Sequence, residues 1–238
     1  MSTLLLRLAA PIQAWGIDNK FERRGTMREP TKSGVIGLLA AALGRQRDEN
    51  IDDLACLRFG VRADQPGQLL HDYHIARNDE RHLVYVTHRY YLADAVFLAG
   101  VEGDDVFIRT LNAALHTPVF SLYLGRRSCP PTGRVSLGIR DYSLEEALYS
   151  EPWQASDWYR KHLPIPSSLT VTVDAKQPGG LRRRDLPLSF SQAHRKYSFR
   201  YMDDQVVSAN QMKDVFIDDP NNNIGAETKH DPLVGLEG

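Results

Sequence analysis

The stretch Thr3-Leu4-Leu5-Leu6-Arg7-Leu8-Ala9-Ala10 decides the fold, because it begins a series of strands and helices that continues to residue 139. It is short, almost wholly apolar and followed by Pro11, which is typical of a strand buried in a sheet. The predicted strands are 3–10, 57–63, 93–101 and 134–139, and the predicted helices run from Thr31 or Ser33 to Gly44 and from Asp104 to Pro118. Hydroxyl and carboxylate caps begin these helices, and glycine and proline end them.

This β-α-β-β-α-β order predicts an α+β fold with the ferredoxin-like (RRM-like) arrangement that RNA-recognition domains share. We expect a ferredoxin-like N-terminal domain over residues 1–140. Beyond Asp141 the pattern changes: Leu169-Thr170-Val171-Thr172-Val173 alternates as a strand, and Pro178-Gly179-Gly180 marks a turn. A small, mostly-β C-terminal domain over 141–225 and a poorly ordered tail over 226–238 are therefore expected.

A large insertion, at about residues 65–92, separates the second and third predicted strands. Its segment Leu83-Val84-Tyr85-Val86-Thr87 alternates, which predicts a protruding β-hairpin, here called the thumb. Aromatic side chains interleaved with basic ones suit stacking on unpaired bases while the charges follow phosphates. The candidate RNA-binding residues of the thumb are Arg77, Arg81, Tyr85 and Arg89. The alternative is an ordinary hairpin whose tyrosines pack on the sheet.

Two short segments combine guanidinium groups, hydroxyls and glycine, a chemistry that binds phosphate. Residues 23–33 lead into the first predicted helix, whose free N-terminal amides attract anions, and residues 124–131 form the second segment. Arginine adds planar pairs of donors that match phosphate oxygens. The candidate RNA-binding residues are Arg23, Arg24, Arg28, Thr31, Lys32 and Ser33 in the first segment, and Gly125, Arg126, Arg127 and Ser128 in the second. For Thr31 and Ser33 the alternative is helix capping alone.

The net charge of −1 hides an uneven distribution. Residues 201–238 hold eight carboxylates and two lysines, so residues 1–200 carry a net charge of +5. A basic body with an acidic tail favours a polyanionic ligand and a protein neighbour, and a mixed solvated surface is the alternative. Residues 176–200, which include the run Arg182-Arg183-Arg184, hold seven cations against the single carboxylate of Asp185.

The sequence does not match the P-loop, zinc-binding or nucleophile-elbow motifs. Residues 25–33 approach a P-loop, but Pro30 stands where the second glycine is needed and Lys32 comes one residue late. His71 and His74 lack partners at zinc-binding spacing, and there is no G-x-S-x-G elbow. We therefore expect no metal, no cofactor and no catalytic residue. The open alternative is metal-independent RNA cleavage, for which the parts would come from His74, His82, His88, Tyr85 and Arg89.

Composition favours a globular protein in the cytoplasm. Apolar residues make up 42% of the chain and charged residues 25%. The longest apolar run, residues 35–43, is too short to span a membrane, and Arg7 interrupts the only apolar run near the N-terminus. Cys56 and Cys129 show no disulfide or metal-binding spacing, which is typical of reduced thiols. We expect neither a signal peptide nor contact with a membrane.

Several of these segments together resemble the Cas-five family of the RAMP superfamily, and in particular its members in type I-E CRISPR Cascade complexes. The segments that carry the resemblance are residues 6–16, 30–40, 72–74, 91–95 and 123–130, so it reaches from the N-terminus to about residue 140. Beyond that point only residues 188–190 and 230–232 match, and loosely. The resemblance implies a ferredoxin-like domain with a hairpin thumb and a small β-rich C-terminal domain.

The resemblance also implies a function in antiviral defence. Type I-E members bind the 5′ handle of the CRISPR RNA and cap the backbone filament, whereas a separate subunit, CasE, cleaves the precursor. The implied partners are CRISPR RNA, the backbone subunit CasC, the large subunit CasA, the small subunit CasB as a further neighbour, and target DNA indirectly. Relatives in type I-C systems are themselves processing nucleases, so an endoribonuclease acting on CRISPR repeat RNA is the alternative. Trp15 would be a core residue or a stacking platform.

Overall fold

The computed structural model describes residues 1–16, 22–78, 83–164 and 166–208. In chain order its strands are β1 (Ser2–Ala9), β2 (Ile12–Gln13), β3 (Arg23–Arg24), β4 (Arg58–Gln65), β5 (Gln68–Asn78), β6 (Leu83–Ala93), β7 (Val96–Gly103), β8 (Ser136–Arg140), β9 (Ser168–Asp174), β10 (Leu181–Ser189) and β11 (Lys196–Ser208). The helices are α1 (Lys32–Ala42), α2 (Asp52–Ala55), α3 (Asp105–His116), α4 (Leu144–Ser150) and α5 (Asp157–His162).

The predicted β-α-β-β-α-β unit is confirmed. Its elements are β1, α1, β4, β7, α3 and β8, and its strands lie side by side in the order β4-β7-β1-β8. Every neighbouring pair in this group is antiparallel. The first and third strands of the motif therefore occupy the centre, as in a ferredoxin-like sheet.

Apolar side chains of β1 are buried on both faces of the sheet. Leu4, Leu6 and Leu8 belong to a core cluster that includes residues of α1 and α3, whereas Leu5 packs in a second cluster that includes residues of α4. Successive side chains of a strand point to opposite faces, so a strand covered on both sides is apolar at nearly every position. This double coverage explains the continuous run Leu4-Leu5-Leu6.

The strands that follow residue 141 extend the same sheet. β9 pairs with β4 through Gly60↔Val173, Val61↔Thr172 and Arg62↔Val171, and β11 and β10 follow outward. Within the described residues the sheet has seven strands, in the order β10-β11-β9-β4-β7-β1-β8. The division into domains at residue 140 stays a prediction, and the predicted tail lies outside the described residues.

The insertion forms the predicted hairpin. β5 and β6 pair continuously from Gln68↔Ala93 to Asn78↔Leu83. β6 also pairs with two short strands that the sequence analysis did not predict: β2 runs antiparallel to it, and β3 runs parallel to it. The thumb is thus held at its base by the chain that leads into α1.

Candidate nucleic-acid interface at the base of the thumb

The first predicted segment lies along the thumb. Arg23 and Arg24 form β3, in register with His88 and Arg89 of β6, and the backbone N–H of His88 also donates to the carbonyl of Glu22 at 2.8 Å. The side chains of Arg23 and Arg24 are exposed. Because paired residues point to the same side of a sheet, Arg23 shares a face with His88 and Arg24 shares the other face with Arg89.

The second predicted segment is pressed against the chain next to β2, and Gly125 is required there. Its φ is +84°, and a Cβ added to it would lie 1.6 Å from the carbonyl oxygen of Ala14. The N–H of Ala14 donates to Leu124 O at 3.2 Å, and the N–H of Leu124 donates to Cys129 O at 2.8 Å. A residue with a side chain would clash in this left-handed, closely packed turn. Burial raises the pKa of the Cys129 thiol.

Arg126 connects the two predicted segments. Its Nη2 donates to the carbonyl oxygens of Arg24 at 2.8 Å and Gly25 at 3.1 Å. The guanidinium also lies over the ring of Tyr91, 4.5 Å from its centroid, in a cation–π contact. Segments about 100 residues apart in sequence therefore meet at the base of the thumb.

This face of the thumb carries guanidinium groups that form no ion pair with the described residues. By alternation along β6, Arg89 and Tyr91 point to the same side, and Arg24 lies opposite Arg89. Among the residues that the structure describes, none of Arg24, Arg89 and Arg126 forms an ion pair. The carboxylate across from Arg89, that of Asp72, instead contacts His74 at 2.5 Å.

Two donors on this face are buried and have no hydrogen-bond partner in the part of the chain that the structure describes. They are Nε of Arg89 and Nη1 of Arg126. A buried donor left unsatisfied costs about 1–3 kcal/mol, and more when it is charged. An anion bound here would supply the missing acceptors and the missing charge together.

The other face of the thumb carries stacked rings. His71 stacks on Tyr90 with ring centroids 4.6 Å apart, and Nε2 of His71 lies 2.9 Å from Nδ1 of His88. Nη2 of Arg23 donates to the hydroxyl of Tyr90 at 3.0 Å. Exposed rings beside a cation can stack on bases and can also take part in acid–base chemistry.

Three predicted site residues lie away from this surface. Thr31 caps α1, with its hydroxyl accepting from the N–H of Gly34 at 3.2 Å, and Ser33 donates to the Thr31 hydroxyl at 3.4 Å. Lys32 was expected to face phosphates, but its ammonium is buried and donates to Asp174 at 2.9 Å. All three are buried, so the capping alternative describes Thr31 better, and we leave the three residues out of the proposed interface.

The remaining predicted residues that the structure describes fall into two groups. Arg28, Arg127 and Ser128 are exposed on the two segments. Arg77 and Tyr85 are exposed further along the thumb and point to opposite faces of it, since Arg77 pairs with Val84 and Tyr85 pairs with Ala76. Arg81, and His82 of the catalytic alternative, lie outside the described residues. Contact of any of these residues with RNA stays a prediction.

The list of candidate residues did not include His71, Tyr90 or Tyr91. The structure stacks His71 on Tyr90 on one face, and it buries Tyr91 beneath Arg126 on the other. The signal that could have found them is the alternation His88, Arg89, Tyr90, Tyr91 on β6, which places a basic and an aromatic residue on each face. Trp15 is a core residue, as the first of its two interpretations had it, and its indole N–H donates to Gln13 at 3.1 Å.

The structure gives no sign of a metal centre or a membrane span in the part of the chain that it describes. No group of three or more histidine, cysteine, aspartate and glutamate side chains is arranged to hold a metal ion there. None of the described helices is long and apolar enough to cross a bilayer.

Comparisons with known proteins place the chain in a family. A family model described as CRISPR-associated protein (Cas_Cas5) matches residues 3–203. The CRISPR system Cascade subunit CasD of Escherichia coli (strain K12) is 40% identical over 158 residues, which cover 58% of this chain and 70% of that protein.

Solved structures agree with this assignment. One, described as the crystal structure of a Cas protein, is 37% identical with a TM-score of 0.71 and covers 88% of this chain and 96% of its own. Another, described as a CRISPR RNA-guided surveillance complex, includes a chain that is 32% identical with a TM-score of 0.72, covering 88% of this chain and 92% of its own. The resemblance found in the sequence is thereby confirmed, and the chain belongs to the Cas5 family of CRISPR-associated proteins.

Proposed function

We propose that this chain is a non-catalytic subunit of a Cascade surveillance complex, in which it binds the 5′ handle of the CRISPR RNA and caps the backbone filament. The relative CasD is a Cascade subunit, and a structural neighbour comes from a CRISPR RNA-guided surveillance complex. The partners are then the CRISPR RNA, the backbone subunit CasC and the large subunit CasA, with CasB as a further neighbour and target DNA reached through the guide.

One observation carries the RNA-binding part of this proposal. Arg24, Arg89 and Arg126 converge on one face of the thumb and form no ion pair with a described residue, and two of their donors are buried with no acceptor among those residues. Like charges held together repel, so such a cluster is stabilised by an anionic ligand. Guanidinium groups bind phosphate oxygens through paired N–H donors, which makes an RNA backbone a suitable ligand.

Neighbouring residues would extend the interface along the strand. Arg127, Ser128 and Arg28 are exposed beside the cluster and supply further donors to phosphates. On the other face, the stacked pair His71 and Tyr90 offers ring surfaces for unpaired bases. The RNA would therefore pass the base of the thumb, with its phosphates on the arginine face.

Salt dependence of RNA binding tests this proposal. The full-length chain is titrated with labelled handle RNA over a range of salt concentrations, as the unchanged protein and as Arg24→Ala with Arg89→Ala. Each arginine that no longer neutralises a phosphate lowers the slope of log affinity against log salt by about 0.7 for a single strand, so the pair should lower it by about 1.4.

A matched control removes the same charge elsewhere. Arg47 and Arg109 are exposed arginines that belong to neither segment and not to the thumb. The double variant Arg47→Ala with Arg109→Ala should keep both the slope and the affinity. If the Arg24 and Arg89 pair behaved as this control does, the arginine face would not be the RNA site.

A second candidate is a metal-independent endoribonuclease that processes CRISPR repeat RNA. The observation in its favour is the contact of His71 with His88 at 2.9 Å beside Tyr90 and Arg23, which brings two imidazoles, a phenol and a cation together. Such groups suffice for acid–base cleavage next to a 2′-hydroxyl.

Incubation with labelled repeat RNA in EDTA separates the two candidates. We expect the RNA to stay intact. A single cut that leaves a 2′,3′-cyclic phosphate and disappears in His88→Ala would support the nuclease and contradict a purely non-catalytic role.

A further inference from the structure

The outer strands of the main sheet carry exposed aromatic rings that the proposed function does not use. Phe199 and Tyr201 of β11 are 51% and 37% exposed. They are two residues apart on one strand, so they point to the same side of the sheet. β10, the partner of β11, is the edge strand within the described sheet. A phenylalanine half open to solvent gains little from packing, and exposed apolar surface of this kind marks binding surfaces.

Arg182 lies over both rings. Its guanidinium carbon is 4.5 Å from the centroid of Phe199 and 5.6 Å from that of Tyr201. Arg182 pairs directly with Tyr201 across β10 and β11. The two rings and the guanidinium therefore form one continuous stacking surface, on which a nucleobase can stack against either a ring or the guanidinium plane.

The charges around this surface are mostly positive and unpaired. Arg182, Arg184, Arg195 and Lys196 are exposed, and none of them forms an ion pair with a described residue. Asp203 is an exposed carboxylate two positions beyond Tyr201, near the turn at Gly180.

Other charged residues of these strands already have partners. Arg183 contacts Glu29, and Arg200 contacts Asp185 and Asp174. On the side of the sheet that carries Phe199 and Tyr201, the free charges are those of Arg182 and Arg184, with Arg195 just before β11, against Asp203. By alternation along β11, Lys196 and Asp204 point to the other side, where Asp204 is exposed and accepts from the hydroxyl of Thr172 at 3.0 Å.

We propose that Arg182, Arg184, Phe199 and Tyr201, with Arg195 beside them, form a second binding surface, for single-stranded nucleic acid. Bases would stack on the rings and on Arg182, while phosphates would contact Arg184 and Arg195. An excess of unpaired cations favours a polyanion, because the phosphates of one strand can neutralise several of these cations together. The surface shares no residue with the arginine face of the thumb, so the proposal stands apart from the proposed function.

The test uses the full-length chain with Arg24→Ala and Arg89→Ala, so that binding at the thumb is weakened and the second surface can be observed. Labelled oligo(U) and oligo(dT) are the probes. Adding Phe199→Ala and Tyr201→Ala should weaken binding about tenfold or more, because each base loses its stacking partner. Adding Arg182→Ala and Arg184→Ala instead should lower the salt slope by about 1.4.

Val206→Ala with Leu188→Ala is the matched control, since both residues are exposed and apolar and lie on the same two strands. It should leave the affinity for both probes unchanged. Thermal denaturation of each variant shows that it is folded.

The outcomes are separable. Weaker binding of either probe supports the proposal, and a difference between the two probes tells whether RNA or DNA is the ligand. If neither the ring variant nor the arginine variant changes the affinity for either probe, the proposal is overturned. That result overturns it even if the variants weaken binding of a protein neighbour. The proposed function is judged by handle RNA in the otherwise unchanged chain, so it can fail or succeed independently.

Discussion

Replacing Asp185 with asparagine tests how the start of α1 is held. Asp185 is fully buried and accepts from the backbone N–H of Lys32 at 2.9 Å, from Nε of Arg200 at 2.7 Å and from Nη2 of Arg200 at 3.0 Å. Asp174 completes the group by accepting from Nζ of Lys32 at 2.9 Å and Nη1 of Arg200 at 2.7 Å. Two carboxylates thus balance two cations below the surface. Burial alone would lower the pKa of Arg200, but these carboxylates raise it.

The magnitude follows from this balance. Asparagine keeps the shape of the side chain but leaves two buried cations facing the single carboxylate of Asp174. Breaking a buried ion pair by removing one partner costs about 3–5 kcal/mol, and because Asp174 remains we take the lower value, about 3 kcal/mol. For a chain of this size, that free energy lowers Tm by about 6–12 °C. The chain that leads into α1, including β3, should loosen with it.

Thermal and urea denaturation of Asp185→Asn measure the effect. Asp157→Asn is the control, because the contact of Asp157 with Arg160 is exposed and should contribute less than about 1 kcal/mol. The double variant Asp185→Leu with Arg200→Met leaves Lys32 balanced by Asp174 and should recover much of the loss. A loss in Asp185→Asn no larger than in the control would refute the view that Lys32 and Arg200 are bound by this buried network.

Two further predictions concern the turn at Gly125 and the response to acid. Gly125→Ala should lower Tm by more than Gly133→Ala. Both glycines have positive φ, but only at Gly125 would the added Cβ meet the backbone of Ala14. Equal decreases in Tm would show that this close approach does not affect stability. Burial alone would raise the pKa of Glu145, but hydrogen bonds from Arg58 and the nearby Lys176 lower it from 4.5 to about 2. A carboxylate whose pKa is lower in the folded state than in the unfolded state stabilises the fold at pH values above its unfolded-state pKa. This contribution should be lost as the pH falls from about 5 to 2. Glu145→Gln should therefore make the free energy of unfolding depend less on pH over that range. A Glu145→Gln curve that kept the original slope would contradict the assigned pKa.

Local signals in the sequence sufficed for the ferredoxin-like elements. The hydroxyl of Thr31 caps α1, and Gly44 takes a φ of +79° just after it, as the cap and stop residues indicated. Alternation within 83–87 found the thumb. Helix α5 is not among the predicted elements: it begins at Asp157, where the Ser156 hydroxyl accepts from the N–H of Tyr159 at 3.3 Å.

Contacts between distant segments could not be predicted from local pattern. The sequence predicted that Lys32 contacts phosphate. Its partner in the structure is Asp174, which lies 142 positions away, and sequence periodicity gives no information about such a distant pair. Arg126 was expected to hold RNA, but its Nη2 already binds the carbonyls of Arg24 and Gly25, so in this structure it also positions the first segment. The pairing of β9 with β4 depends on sheet order, which strand propensity does not encode. The candidate site therefore became visible only when the fold brought both segments to the thumb.

Photocrosslinking of handle RNA to the full-length chain tests the central claim most directly. Handle RNA that carries thiouridine is bound to the protein and irradiated, and the crosslinked peptides are identified by mass spectrometry. If RNA lies at the base of the thumb, crosslinks will map to β6 around Arg89 and Tyr90 and to the segment 125–128. They will become fewer in the variant Arg24→Ala with Arg89→Ala. Crosslinks confined to other surfaces, such as α3 or β8, would contradict the account.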